Sequence, residues 1–130
     1  MDKLRYLVVD DEDRFRQSLI RLLEAKGMRA EGASDGRAAL RALEQKPYDV
    51  ILLDVKMPGM DGVQALPRIR ELAPQAEVIV LTGHASVDDA ALLMERGASE
   101  YLVKPCGVNE ILDTVAVLRD RRAMTAQSGA

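Results

Sequence analysis

Val50-Ile51-Leu52-Leu53-Asp54 is a run of four aliphatic residues closed by a carboxylate. A strand with one wet face alternates apolar and polar side chains, whereas a strand covered on both faces is apolar throughout. This run therefore predicts a central strand of a sheet held between helices. Tyr6-Leu7-Val8-Val9 and Val78-Ile79-Val80-Leu81 have the same continuous character. Working outward gives five strand candidates: Leu4 to Val9, Met28 to Ala33, Val50 to Leu53, Val78 to Leu81 and Ser99 to Val103. The second mixes in polar residues and is expected at a sheet edge.

Helical spacing fills the gaps. Phe15, Leu19, Leu22 and Leu23 fall at i, i+4, i+7 and i+8, which predicts one buried stripe on a helix ending at Gly27. A second helix is expected from about Asp35 to Gln45, burying Ala39, Leu40 and Leu43, and a third carries Leu66, Ile69 and Leu72 before Pro74. Proline costs roughly 3 kcal/mol beyond a first turn, so Pro67 predicts that the third helix begins near Val63 or Gln64 rather than at Asp61. The fourth opens with Ser86-Val87-Asp88-Asp89, close to a capping box, and closes at Gly97. Val108, Ile111, Leu112, Val115 and Leu118 line a fifth. Arg119 to Arg122 read as a solvated helix end, after which the pattern dissolves. One domain over residues 1–121 is expected, with 122–130 a tail or the start of a linker. Strands alternating with helices on short turns imply an α/β fold: a five-stranded parallel sheet with right-handed crossovers and five helices on both faces.

Composition narrows the function. The 130 residues are 48% hydrophobic and 30% charged, with only 3% aromatics, so aliphatic side chains must fill the core. A formal charge of -3 and no basic cluster interleaved with aromatics argue against direct nucleic-acid binding. The single cysteine, Cys106, cannot pair internally and fits no zinc pattern; it reads as a small, buried or half-buried residue in a reducing cytosol. Neither a signal-peptide core nor a membrane-spanning run is present, so a cytoplasmic location away from membrane is expected. The methionines, Met57 and Met60 among them, read as packing and loop residues.

In doubly wound sheets function gathers at the carboxyl ends of the strands. Strand one ends in Asp10-Asp11, strand three in Asp54, strand four in Thr82 and strand five in Lys104. Carboxylates about 4 Å apart repel by roughly 4 kcal/mol at an effective dielectric near 20, so the cluster either holds protons or holds a cation. Hard oxygen donors without His or Cys favour Mg²⁺ or Mn²⁺ over zinc. Each residue also has a plainer role open to it. Asp10 and Asp11 suit a helix N-terminus, Thr82 a turn, Lys104 a solvated loop and Tyr101 a half-buried strand position.

The residues Val8-Val9-Asp10-Asp11-Glu12, Leu52 to Gly62, Val80 to His84, Gly97-Ala98 and Tyr101 to Pro105 occur in that order. Over residues 4 to about 120 the chain resembles receiver domains of the two-component response-regulator family. The strand order 2-1-3-4-5, flavodoxin-like, is carried over from that family. The resemblance implies a phosphorylation-controlled switch. Asp54 would accept a phosphoryl group from a sensor histidine kinase or a histidine phosphotransfer protein. Asp11, Asp54 and the Lys56 backbone carbonyl would bind Mg²⁺ or Mn²⁺, with Asp10 acting through water. Lys104 and Thr82 would meet the transferred oxygens, and a cis Lys104-Pro105 bond would aim the amine. Thr82 and Tyr101 would report the change to the face of the fourth helix, fifth strand and fifth helix, where an output domain or partner protein docks. Lys56 and His84 would tune phosphoryl lifetime.

A Mg²⁺-dependent phosphatase with an aspartate nucleophile is the reading from another class. Such enzymes carry a second Asp two residues on, where this chain has Lys56, so no turnover of external substrates is expected beyond help with its own phosphorylation and dephosphorylation. A flavin carrier of this topology would need a phosphate-cradling first loop, which Asp10-Asp11-Glu12 would repel. Leu81 to Val87 is similar to receivers joined to ATPase-type transcription activators. Whether the chain is such a receiver or a stand-alone regulator, and whether phosphorylation drives homodimerisation, is left open by the sequence.

Overall fold

The structure, a computed structural model, describes residues 3–55, 62–83 and 87–128. The elements alternate along the chain as β1 (Arg5–Val9), α1 (Asp13–Ala25), β2 (Arg29–Ala33), α2 (Gly36–Gln45), β3 (Val50–Asp54), α3 (Gly62–Leu72), β4 (Glu77–Thr82), α4 (Val87–Glu95), β5 (Glu100–Val103) and α5 (Val108–Ser128). The strands form one sheet in the order β2-β1-β3-β4-β5, every pairing parallel. The expected fold is the observed one.

Successive residues of a strand point to opposite faces, and each central strand feeds two cores. Leu7, Val9, Ile51, Leu53, Val78 and Val80 pack with Ala39, Leu40, Leu43, Leu66, Ile69 and Leu93 on the side of α2, α3 and α4. Tyr6, Val8, Val50, Leu52, Ile79 and Leu81 pack with Leu19, Leu23, Ile111, Val115 and Leu118 on the side of α1 and α5. Because both faces are covered, β1, β3 and β4 carry no alternation, and β2, with its mixed burial, takes an edge as expected.

Two local expectations need correcting. Leu22 and Leu72, placed by spacing with the apolar stripes of their helices, are exposed, so the α1 stripe runs through Leu19 and Leu23 and the α3 stripe through Leu66 and Ile69. Helix α3 runs from Gly62, next to the expected Val63, and keeps Pro67 inside it, because burial of Ala65, Leu66 and Ile69 outweighs one lost helical hydrogen bond. Helix α5 continues to Ser128, through most of the segment read as a tail. The capping box at Ser86-Val87-Asp88-Asp89 rests on side chains outside the described residues.

Arg122, read as solvated, donates from Nε to Glu77 Oε1 at 2.7 Å, and Glu77 is only 4% exposed at the start of β4. A buried carboxylate without a partner is costly, and the extension of α5 supplies one. Arg70 adds a second clasp at this end of the sheet. Its Nε donates to the Gly97 carbonyl at 2.6 Å and its Nη2 to Ser99 Oγ at 2.9 Å, tying α3 to the turn before β5. Gly97 (φ 114°) lies so near that a Cβ there would stand 2.5 Å from Arg70 Cγ.

Candidate functional site

Strand parity sets up the site at the other end of the sheet. Asp10 continues the Tyr6, Val8 row and Asp54 the Val50, Leu52 row, so both leave the sheet on the α1/α5 face, on paired strands. Asp10 is 1% exposed. Its Oδ1 accepts from the Glu12 N–H at 2.9 Å, and its own N–H donates to the Ala33 carbonyl at 3.0 Å. The bond to Glu12 closes a short Asx turn; the helix N-cap is Glu12 itself, without a side-chain cap. Arg16 Nη1 donates to the Asp10 carbonyl at 2.8 Å and Nη2 to Asp13 at 2.6 Å, pinning the turn to α1.

Asp10, Asp11 and Asp54 offer carboxylate oxygens that all lie within 4.8 Å of one another, with Asp10 buried, Asp54 half-buried and Asp11 exposed. All three donors are hard oxygens and none is His or Cys, a set that fits Mg²⁺ or Mn²⁺. Lys104 enters from the loop after β5, where its N–H donates to the Thr82 carbonyl at 2.7 Å and the Lys104-Pro105 bond is cis. Its Nζ donates to Asp10 Oδ2 at 2.8 Å and lies 3.9 Å from Asp54 Oδ2, so Asp10, not Asp54, is its nearer partner. The same ammonium sits 4.2 Å from the centre of the Phe15 ring.

Thr82 ends β4, 4% exposed, and Tyr101 is half-buried in β5 against the α3/α4 core. Val80 pairs with Tyr101 and Thr82 with Val103, so Tyr101 lies on the strand beside Thr82, two register positions back from the strand end. Burial, first, and the Glu110 charge push the Cys106 thiol up, against Lys104, which leaves it a poor nucleophile at neutral pH. Lys56, Met57, Met60 and His84 lie outside the described residues. Of the residues read from the sequence, the structure therefore brings together Asp10, Asp11, Asp54 and Lys104. Phe15 and Arg16 were missed: Phe15 was read as core, and no spacing marks Arg16 as a ligand of the Asp10 carbonyl.

Among the described residues no helix is long and apolar enough to cross a membrane. Residues 6–116 match the response regulator receiver domain. Transcriptional regulatory protein PrrA of Mycobacterium tuberculosis is 40% identical over 124 residues, which are 95% of this chain and 53% of PrrA. DNA-binding transcriptional regulator NtrC of Escherichia coli is 38% identical over 108 residues, 83% of this chain and 23% of NtrC. The chain thus spans about half the length of PrrA and less of NtrC. A Burkholderia pseudomallei response regulator, solved with a phosphorylated aspartic acid, a calcium ion and citrate, superposes with a TM-score of 0.85 at 30% identity, over 99% of this chain and 76% of that one. The Francisella response regulator 1452 receiver domain does so at 0.83 and 30% identity, over 92% of this chain and 99% of its own. The chain belongs to the response regulator receiver domain family.

Proposed function

We propose that the chain is the phosphorylation-controlled switch of a two-component system, in which Asp54 accepts a phosphoryl group from a phosphohistidine on a sensor histidine kinase or histidine phosphotransfer protein. One observation carries the reading: a half-buried carboxylate ends an apolar strand within 4.8 Å of two other carboxylates and 3.9 Å from a lysine ammonium. An Asp54 carboxylate oxygen attacks phosphorus in line. The P–N bond to the imidazole breaks, its electron pair stays on the nitrogen, and the products are an aspartyl phosphate and a free imidazole. Little covalent work falls to the protein, so positioning and charge neutralisation decide the rate.

Asp11 and Asp54 would hold Mg²⁺ or Mn²⁺ directly, with the Lys56 carbonyl, and Asp10 through water; the bound ion would neutralise charge on the transferred oxygens. Lys104 is kept at hand by Asp10 and needs only a short shift to pair with a phosphoryl oxygen on Asp54. The Thr82 hydroxyl donates to another of those oxygens, and its movement makes room for Tyr101 to turn inward. That repacks the α4-β5-α5 face toward an output domain or partner protein, as a shift between two packings. Lys56 and His84 set how readily water removes the phosphoryl group. The receiver is taken to span 1–121, with the rest of α5 leading on as a connector.

The test is direct. Incubated with Mg²⁺ and a small phosphoryl donor, the chain should gain one phosphate by intact mass, and Asp54→Asn should gain none; equal gain by both overturns the assignment.

A further inference from the structure

We propose that Phe15 is a positioning residue for phosphoryl transfer, its ring face holding the Lys104 ammonium at the mouth of the carboxylate cluster. This rests on Asp54 being the acceptor and adds a residue to the site. Lysine is a compact, strongly hydrated charge on a flexible four-carbon stem. Lys104 keeps 21% of its side chain exposed and reaches the buried Asp10 carboxylate at 2.8 Å, a bond that occupies one of the ammonium's three donors and leaves the outer side of the head toward solvent. The Phe15 ring, 4.2 Å from Nζ, supplies a contact of a different kind: the negative face of the ring attracts the ammonium and covers it from solvent.

The backbone explains why the ring is there. Phe15 is in the first turn of α1, which begins just after Asp10. Long helical side chains lean toward the helix N-terminus, and here that direction leads to the strand ends. Phe15 consequently packs at the margin of the α1/α5 core, only partly buried. A leucine would fill that margin nearly as well. What leucine lacks is the charged-ring contact, so the chain's single phenylalanine is placed where its π face matters. With the ammonium held beside Asp54 before the phosphoryl group arrives, less freedom is lost during transfer, and the effect belongs to the rate of acceptance.

Fluorination drains the negative potential of a ring face while nearly preserving its shape. Phe15 is replaced by mono-, di- and trifluorophenylalanine, and separately by Leu and Tyr, and phosphate gain on Asp54 is timed by intact mass with Mg²⁺ and a small phosphoryl donor. The rate should fall stepwise along the fluorine series, about three- to tenfold in all, with Phe15→Leu at the slow end and Phe15→Tyr within about twofold of the parent. In the Mg²⁺-free protein, the Lys104 ε-methylene protons should resonate upfield through the ring current, and Phe15→Leu should remove that shift. A flat fluorine series, a Leu variant at the parental rate, or an unshifted Lys104 signal in the parent overturns the positioning role. A parent that gains no phosphate on Asp54 overturns the acceptor assignment, and the positioning role with it.

Discussion

Asp11→Asn should make the domain more stable when no divalent cation is present. Asp10, Asp11 and Asp54 crowd carboxylate oxygens within 4.8 Å of one another. Lys104 brings an ammonium to them, 2.8 Å from Asp10 and 3.9 Å from Asp54. At 4.8 Å two unit charges repel by about 3.5 kcal/mol at an effective dielectric near 20 and about 0.9 kcal/mol in water. Asp11 is exposed, so its repulsion lies toward the watery value, and facing two carboxylates it should cost the fold about 1–2 kcal/mol. For a domain of this size that corresponds to roughly 4–8 °C in Tm. The assay is thermal unfolding followed by circular dichroism in EDTA at low salt, repeated with added Mg²⁺ and at high salt. In EDTA the variant should melt above the parent, by a margin that salt reduces. Mg²⁺ should raise the parent's Tm through binding to the folded state alone and raise the variant's far less. A variant that melts below the parent in EDTA refutes the self-repulsion argument. Equal gains from Mg²⁺ refute Asp11 as a ligand.

Other consequences can be checked by equilibrium unfolding. Gly27 (φ 89°) has nothing within 4 Å of an added Cβ, so Gly27→Ala should cost about 1 kcal/mol of strain. Gly97→Ala adds a collision with Arg70 and should cost about 3 kcal/mol in urea unfolding; equal losses at the two glycines would count against the Arg70 clasp. Arg122→Ala strips the partner from buried Glu77; since Arg122 is 41% exposed, the loss should be about 1–2 kcal/mol rather than that of a fully buried pair. Adding Glu77→Gln to that variant should recover stability, and a further loss of stability would refute the pairing. Burial pushes Glu31 up, but hydrogen bonds from Tyr48 and Lys46 and the charges of Lys46 and Arg5 outweigh it and hold the folded carboxyl below 4.5. The unfolded chain therefore takes up the proton first as pH falls. The contribution of Glu31 is present above that value and disappears as pH drops through the lower folded one. Tyr48→Phe, which removes the 2.9 Å bond to Glu31, should cost about 1 kcal/mol at neutral pH and less near pH 3, as acid-titrated unfolding would show. On the alkaline side, burial and then Glu31 push Tyr48 up to about 12, so its contribution fades from pH 10 upward and is missing in the Phe variant.

Much of the fold was legible because both cores are written in strand parity. Continuous runs such as Val50-Ile51-Leu52-Leu53 need two covered faces, and covered faces need helices on both sides. Periodicity erred where an element lies at a margin. Leu22 and Leu72 satisfy the helical spacing and yet face solvent, because spacing marks a side of the helix without marking how far the neighbouring layer reaches. The end of α5 eluded the pattern for a related reason: beyond Arg122 it has no apolar stripe to read, and the bonds of Arg122 to Glu77 and Gln75 join residues 45 and 47 positions apart.

By itself the sequence determined the alternation of strands and helices and the succession of Asp10-Asp11, Asp54, Thr82 and Lys104 at strand ends, since those depend on local propensity and on where an apolar run stops. Tertiary structure alone decided which of these groups meet. Lys104 is 94 residues from Asp10, and only the placing of β1 and β3 side by side, with the β5 loop folded over them, brings its ammonium to Asp10 first and Asp54 second. It likewise turned Phe15 from a core residue into a neighbour of that ammonium, because the direction of a side chain in the first turn of α1 depends on where the helix sits over the sheet.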